Sequence, residues 1–217
     1  MAKNDTLFGE VRSLLQQTPS AEVWAELVKQ LDKFTIDAQF TEEIFPYLLE
    51  YLGRWPEDVR RMAPAKWVKP LLKKAAKPAP LVPLCNGADL SSSRIGPATA
   101  AYLADCAALG HLLYLDLSNN GLKSDGAKHL ARSKHLRNLR VLLLTNCKVG
   151  NSGAVALAES VNVQHLVELD ISGSDMIDDG CDALQNSRFL PEPLRAKAYE
   201  WYSHEREERE YYRDGWE

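Results

Sequence analysis

No stretch of this chain stays apolar for the roughly 20 residues that a membrane-spanning helix needs. The opening MAKNDTLFGEVRSLLQQ also lacks the apolar run of a signal peptide. These absences predict a cytoplasmic protein. Four cysteines are present and no two stand as CxxC, so neither a disulfide framework nor a zinc site is expected. The five histidines, His111, His129, His135, His165 and His204, contain no HxxxH or HExxH spacing and read as boundary or solvent-facing residues. A Gly-rich phosphate loop, a GxSxG elbow and a serine or cysteine with an identifiable base are missing as well. No catalytic, cofactor-binding or metal-ligating residue is therefore assigned, and no cofactor is expected.

The chain does have enough apolar residues to bury a core. Its 217 residues are 45% apolar and 26% charged, which suits one domain or two small ones, and its formal charge of -4 argues against general nucleic-acid affinity. Its most informative feature is repetition. LYLDLSNNGLKSDGAKHLARS, LRVLLLTNCKVGNSGAVALAES and LVELDISGSDMIDDGCDALQNS fall into register from Leu112, Leu139 and Leu166, 27 residues apart, without a gap. The same offset run backwards finds a worn copy, ADLSSSRIGPATAAYLADC, giving four units: 85–111, 112–138, 139–165 and 166–192. Each reads LxxLxL, a turn, then a glycine or threonine (Thr99, Gly126, Gly153, Gly180) opening an apolar helical pattern, so the period changes from two to 3.6. The acidic and hydroxyl residues beside those glycines, Ser124, Asp125, Asp178 and Asp179, are expected to cap helix N-termini.

Strand, turn and helix repeated in this way give parallel strands with helices on one side. Because the strands alternate apolar and polar residues, the second face of the sheet is left open, and the array is expected to curve into a horseshoe with the strands inside. This pattern resembles the ribonuclease-inhibitor subclass of leucine-rich repeats. The resemblance covers about half of the chain. Its ninth position, which prefers Asn or Cys, is here Ser93, Asn120, Cys147 and Ser174, so the end repeats look degenerate, as capping repeats do. The cysteines fit repeat columns as small buried side chains: Cys85 with Leu112, Cys106 with Ser133, Cys181 with Ala127, and Cys147 at the turn.

The resemblance implies a non-catalytic module that binds a protein partner through the inner face. Stacking the repeats places Gly87, Tyr114, Val141 and Glu168 in one column, Asp89, Asp116, Leu143 and Asp170 in the next, and Ser91, Ser118, Thr145 and Ser172 in a third. Neighbours in a column stand about 4.8 Å apart. Val141 and Leu143 then form an apolar centre rimmed by carboxylates and hydroxyls. The expected contact residues are Tyr114, Asp116, Ser118, Val141, Leu143, Thr145, Glu168 and Asp170, and the expected partner has a basic or mixed surface. Similarity to Ran GTPase-activating proteins, which share the repeat subclass, supplies an alternative as regulator of a partner enzyme such as a small GTPase.

The flanks read as helical. Residues 1–84 hold apolar-periodic segments at Leu7–Leu15, Val23–Phe34, Ile44–Leu52 and Ala65–Leu72, predicting an all-α cap, and Pro78, Pro80 and Pro83 predict a linker into the repeats. Trp24, Trp55 and Trp67 are expected in its core. Such leaders are similar to those before leucine-rich repeats in bacterial proteins, which suggests a bacterial source. Residues 193–217 predict a capping helix over Leu194–Tyr212, with Tyr211, Tyr212 and Trp216 as an alternative partner-binding tail. Between Arg54 and Lys77 stand eight cations (Arg54, Arg60, Arg61, Lys66, Lys69, Lys73, Lys74, Lys77) against Glu57 and Asp58. That segment reads as a solvated face or a complement to the acidic sheet; nucleic acid or an anionic surface is a further alternative.

Overall fold

The computed structural model describes residues 3–59, 61–72, 80–198 and 200–201. The leader forms α1 (Lys3–Leu15), α2 (Ala21–Leu31) and α3 (Phe45–Gly53), the last preceded by a π-helical turn over Phe40–Ile44. Ser20 Oγ accepts the Val23 amide and starts α2 just after Pro19. Trp24, Trp55 and Trp67 are buried, as their apolar surroundings predict. Trp67 Nε1 donates to Asp32 Oδ1 at 2.9 Å.

The leader is not all-α. Met62–Ala63 forms a short strand, β1, that pairs in parallel with β2 (Gly87–Asp89). Both sides of it are anchored. Trp24 Nε1 donates to Met62 O at 2.9 Å, and Asn86 Oδ1 accepts the Arg61 amide at 2.6 Å while its Nδ2 donates to Val59 O at 3.0 Å. The Met62 side chain packs over Gly87 opposite, where a Cβ would force its Sδ to move. The short helix α4 (Ala65–Val68) continues as a 3-10 turn over Lys69–Leu72. The expected linker is packed rather than free where it is described: Leu81, Val82 and Leu84 are buried in the same apolar core as the repeats. Pro78 lies outside the described residues.

The repeats follow as α5 (Pro97–Ala104), β3 (Tyr114–Asp116), α6 (Lys123–Ala131), β4 (Val141–Leu143), α7 (Gly150–Ala158), β5 (Glu168–Asp170) and α8 (Asp178–Gln185). The five strands form one parallel sheet in sequence order, and each repeat strand pairs residue for residue at the 27-residue offset. The glycine column does not open the helices. Gly126, Gly153 and Gly180 lie inside the first helical turn and are buried. A Cβ on Gly153 would stand 3.0 Å from Ala127 Cβ and one on Gly126 3.3 Å from Ala100 Cβ, so glycine facing alanine lets successive helices approach. Nor do the neighbouring side chains cap: α6 and α8 begin after Leu122 and Ile177 with no side-chain cap hydrogen bond. Asp125, Asp178 and Asp179 instead sit in the first turns, where they favour the positive end of the helix dipole.

Polar columns tie one repeat to the next. Ser133, Ser160 and Ser187 are buried, and each Oγ donates at 2.5 Å to the last helical carbonyls of the preceding repeat, Ala104 O, Ala131 O and Ala158 O. The same oxygens accept the following amides, from His135 and Leu136, from Asn162, and from Phe189 and Leu190. After α8 a final helix occupies 192–198 and 200–201, burying Leu194, Ala198 and Trp201 on one face. Cys181 Sγ donates to Ala198 O at 3.4 Å from α8. The expected continuation to Tyr212, with Tyr211 and Trp216, lies outside the described residues.

Candidate interaction surface

Strand alternation divides the sheet into two side-chain sets. Leu115, Leu117, Leu142, Leu144, Leu169 and Ile171 point toward the helices and are no more than 4% exposed. On the other face Tyr114, Asp116, Leu143, Thr145 and Asp170 are half-buried and Glu168 is exposed. Tyr114, Val141 and Glu168 align across neighbouring strands, as do Asp116, Leu143 and Asp170, so the structure brings together the side chains expected to meet. Leu143 makes no part of the continuous apolar core.

Two residues differ from expectation. Val141 is only 7% exposed, although it too lies outside the continuous core. It shares a cleft with Tyr114 and with Glu57 and Asp58 from the leader, and this crowding makes it a wall of that cleft rather than a protruding anchor. Ser118 is 8% exposed because the strand is already turning there. Its carbonyl accepts Ser92 N–H at 2.9 Å and Asn120 Nδ2 at 3.2 Å.

The aspartates have a local role that their solvent-facing position conceals. Oδ1 of Asp89, Asp116 and Asp170 accepts the amide two residues on, from Ser91, Ser118 and Ser172, at 2.9, 2.8 and 2.9 Å. Asp170 also accepts Ser172 Oγ at 2.7 Å. Short acidic side chains favour this return to their own backbone, and it ends each strand. The third repeat unit carries Leu143 in this column, which has no acceptor to offer, yet its backbone pairs in the same register. The turn accounts for the aspartates and leaves the half-buried leucine unexplained.

Beside that leucine lies the cleft that sequence reasoning missed. It measures about 520 Å³ and is lined by Glu57, Asp58, Asn86, Leu113, Tyr114, Arg140, Val141 and Val167. Leu113, Arg140 and Val167 occupy the repeat position just before each strand, and Val167 is 66% exposed. Arg140 faces Glu57 at 3.8 Å, a loose ion pair between the third repeat and the leader. The repeat offset alone could have found that column; Glu57 and Asp58 come from outside the repeats. At the opposite end a second cleft of about 490 Å³ places Glu168, Asp170 and Ser172 beside Lys197, Glu200 and Trp201 of the final helix.

The described part of the basic segment is largely engaged within the chain. Arg54 pairs with Glu50 at 2.5 Å, Lys66 pairs with Asp32 just after α2, and Arg61 Nε donates to Leu84 O at 3.1 Å. Burial lowers the Arg61 pKa. Arg60, Lys73, Lys74 and Lys77 lie outside the described residues.

All four cysteines are buried free thiols. Burial pushes Cys85 up to about 12 and Cys147 up to about 11, and raises Cys181, so these sulfurs stay protonated at neutral pH. Cys147 Sγ donates to Leu117 O at 3.0 Å, satisfying the turn as its position predicts. His111 is half-buried against Val82 O at 3.1 Å, and desolvation lowers its pKa. Among the described residues no group of three or more His, Cys, Asp or Glu side chains is placed to hold a metal ion, and no helix is long and apolar enough to cross a membrane.

A parallel ladder with one helix per rung and an asparagine or cysteine at the turn is the architecture of a repeat protein. Residues 110–131, 135–158 and 164–184 match the model of the Leucine Rich repeat family, which supports a leucine-rich repeat protein. Such repeats generally serve protein interaction and are typically non-enzymatic. No curated protein matches the chain.

Proposed function

We propose that this chain is a non-catalytic interaction module whose open sheet face binds a protein partner of basic or mixed surface. The observation that carries this reading is Leu143, a half-buried leucine outside the core, standing between Asp116 and Asp170 where sister repeats place a turn-forming aspartate. Tyr114, Val141 and Val167 extend the apolar ground into the neighbouring cleft, while Asp116, Glu168 and Asp170 border it. An apolar centre with a polar rim is how stable interfaces are built, and the acidic rim selects a cationic counterpart.

In this reading the sheet is the concave side of a short right-handed horseshoe of ribonuclease-inhibitor-like repeats, spanning 85–192. Residues 1–84 and 193–217 cap its two ends, in a cytoplasmic protein of bacterial type. The helices take more width per repeat than the strands, which bends such arrays toward the strands.

The test is affinity capture from a lysate of the source organism with wild-type chain and Leu143→Glu immobilised side by side. A protein retained by the wild type alone supports the reading. Identical retained proteins overturn it.

A further inference from the structure

The acidic open face has a counterpart at the edge of the molecule where α6 and α7 end. From Lys128 to Arg140 the chain reads KHLARSKHLRNLR, with five cations and no carboxylate. Lys128 is held by Asp125 at 3.4 Å and Arg140 by Glu57 at 3.8 Å. Arg132, Lys134 and Arg137 are exposed and make no ion pair with any described residue. Arg132 and Arg137 line a cleft of about 340 Å³ together with Ala156, Glu159, Val161 and Asn162, and Val161 is 44% exposed.

Two ordinary explanations of such a cluster fail here. Cations gather at helix C-termini to satisfy the last carbonyls. At α6 that work is already done by other side chains: Asn162 Nδ2 donates to Leu130 O, Ala131 O and Ser133 O at 3.3, 3.0 and 2.8 Å, and Ser160 Oγ donates to Ala131 O at 2.5 Å. The repeat itself also makes no demand for charge. The positions of Arg132, Lys134 and Arg137 are filled by Asp105, Ala107 and Gly110 one unit earlier, by Glu159, Val161 and Gln164 one unit later, and by Asn186, Arg188 and Pro191 in the last. The same scaffold closes with acidic or neutral residues at the positions of Arg132 and Arg137, and the last unit keeps a cation only at that of Lys134.

We propose that this cleft binds an acidic segment of a partner protein. Arg132 and Arg137 take its carboxylates, Lys134 adds charge at the rim, and an apolar side chain of the segment rests on Val161. Arginine suits this task because its planar fork matches a carboxylate, and the floor donors around it are spent on backbone carbonyls. A protein segment fits better than nucleic acid for three reasons. The basic rim is short, an exposed valine offers nothing to a phosphate backbone, and the net charge of -4 opposes a long polyanion.

The experiment is fluorescence anisotropy on the full chain at low salt, using a short labelled peptide of glutamates and leucines, its lysine counterpart, and a labelled single-stranded oligonucleotide. The test variant is Arg132→Glu with Arg137→Gln, which installs the residues that the next repeat already accommodates at these positions. The glutamate peptide should bind the wild type, and the variant should weaken it by about tenfold or more, the scale of lost charge-assisted hydrogen bonds. Leu143→Glu, on the other face, should leave this affinity unchanged, so the two surfaces fail or succeed separately. Equal binding to wild type and variant, no binding of the glutamate peptide, or tighter binding of the oligonucleotide would each overturn the assignment.

Discussion

The Ile95 amide donates to Asn120 Oδ1 at 2.9 Å, across the boundary between the first two repeat units. The other end of the same side chain is also fully used, with Nδ2 reaching Leu90 O at 3.0 Å, Leu117 O at 2.7 Å and Ser118 O at 3.2 Å. Asn120 is buried, and without it the Ile95 amide and Leu90 O would lack water as well as a partner, while Leu117 O and Ser118 O would keep Cys147 Sγ and the Ser92 amide.

Asn120→Ala should therefore cost about 2–4 kcal/mol, because a buried donor and a buried acceptor of the first repeat unit are left unsatisfied. Urea unfolding measures it. Asn120→Cys, which imitates Cys147 and its bond to the carbonyl 30 residues back, keeps one bond to Leu90 O and should lose less.

Leu143→Asp gives the third repeat strand the residue found in its three sisters. The carboxylate can accept the Thr145 amide as Asp116 accepts that of Ser118, while crowding Asp116 and Asp170 by a few tenths of a kcal/mol. Thermal melting should move by only a few degrees, and partner capture should fall as far as it does for Leu143→Glu. A large loss of stability would show that the leucine is a core residue.

Leu144→Glu is the matched contrast. One position further along the strand, this side chain is fully buried between sheet and helices. An unpaired carboxylate there should remove the cooperative melting transition, detected by circular dichroism.

Acid should destabilise the fold through His111. Burial lowers its pKa below the ordinary 6.5, so the unfolded chain binds a proton more readily than the folded one. Its contribution to stability is complete above pH 6.5 and declines as pH falls from there toward the lower folded value. Urea midpoints measured between neutral and mildly acidic pH should drop over that window, and His111→Gln should flatten this part of the profile.

Periodicity carried most of the repeat architecture because a 27-residue step fixes which residues stand side by side. Tyr114, Val141 and Glu168, or Leu115, Leu142 and Leu169, could be aligned before any coordinate was known. Contacts that break the period were hidden. Met62 pairs with Gly87 at an offset of 25, and its strand is two residues long, so no pattern marked it. Val141 is buried with the help of Glu57 and Asp58, which belong to the leader, and no local rule connects them. The aspartate-to-amide turns were equally silent, since an outward-facing carboxylate looks the same in a sequence whether it meets water or its own backbone. The carboxylate-free block at 128–140 was legible, but a total charge of -4 masked it.

Met62–Ala63 also occupies the hydrogen-bonding margin of β2 that a strand from another molecule would otherwise use. A proteolytic nick that frees this strand would open that margin to pairing with another chain. The small strand acts in this sense as a stopper.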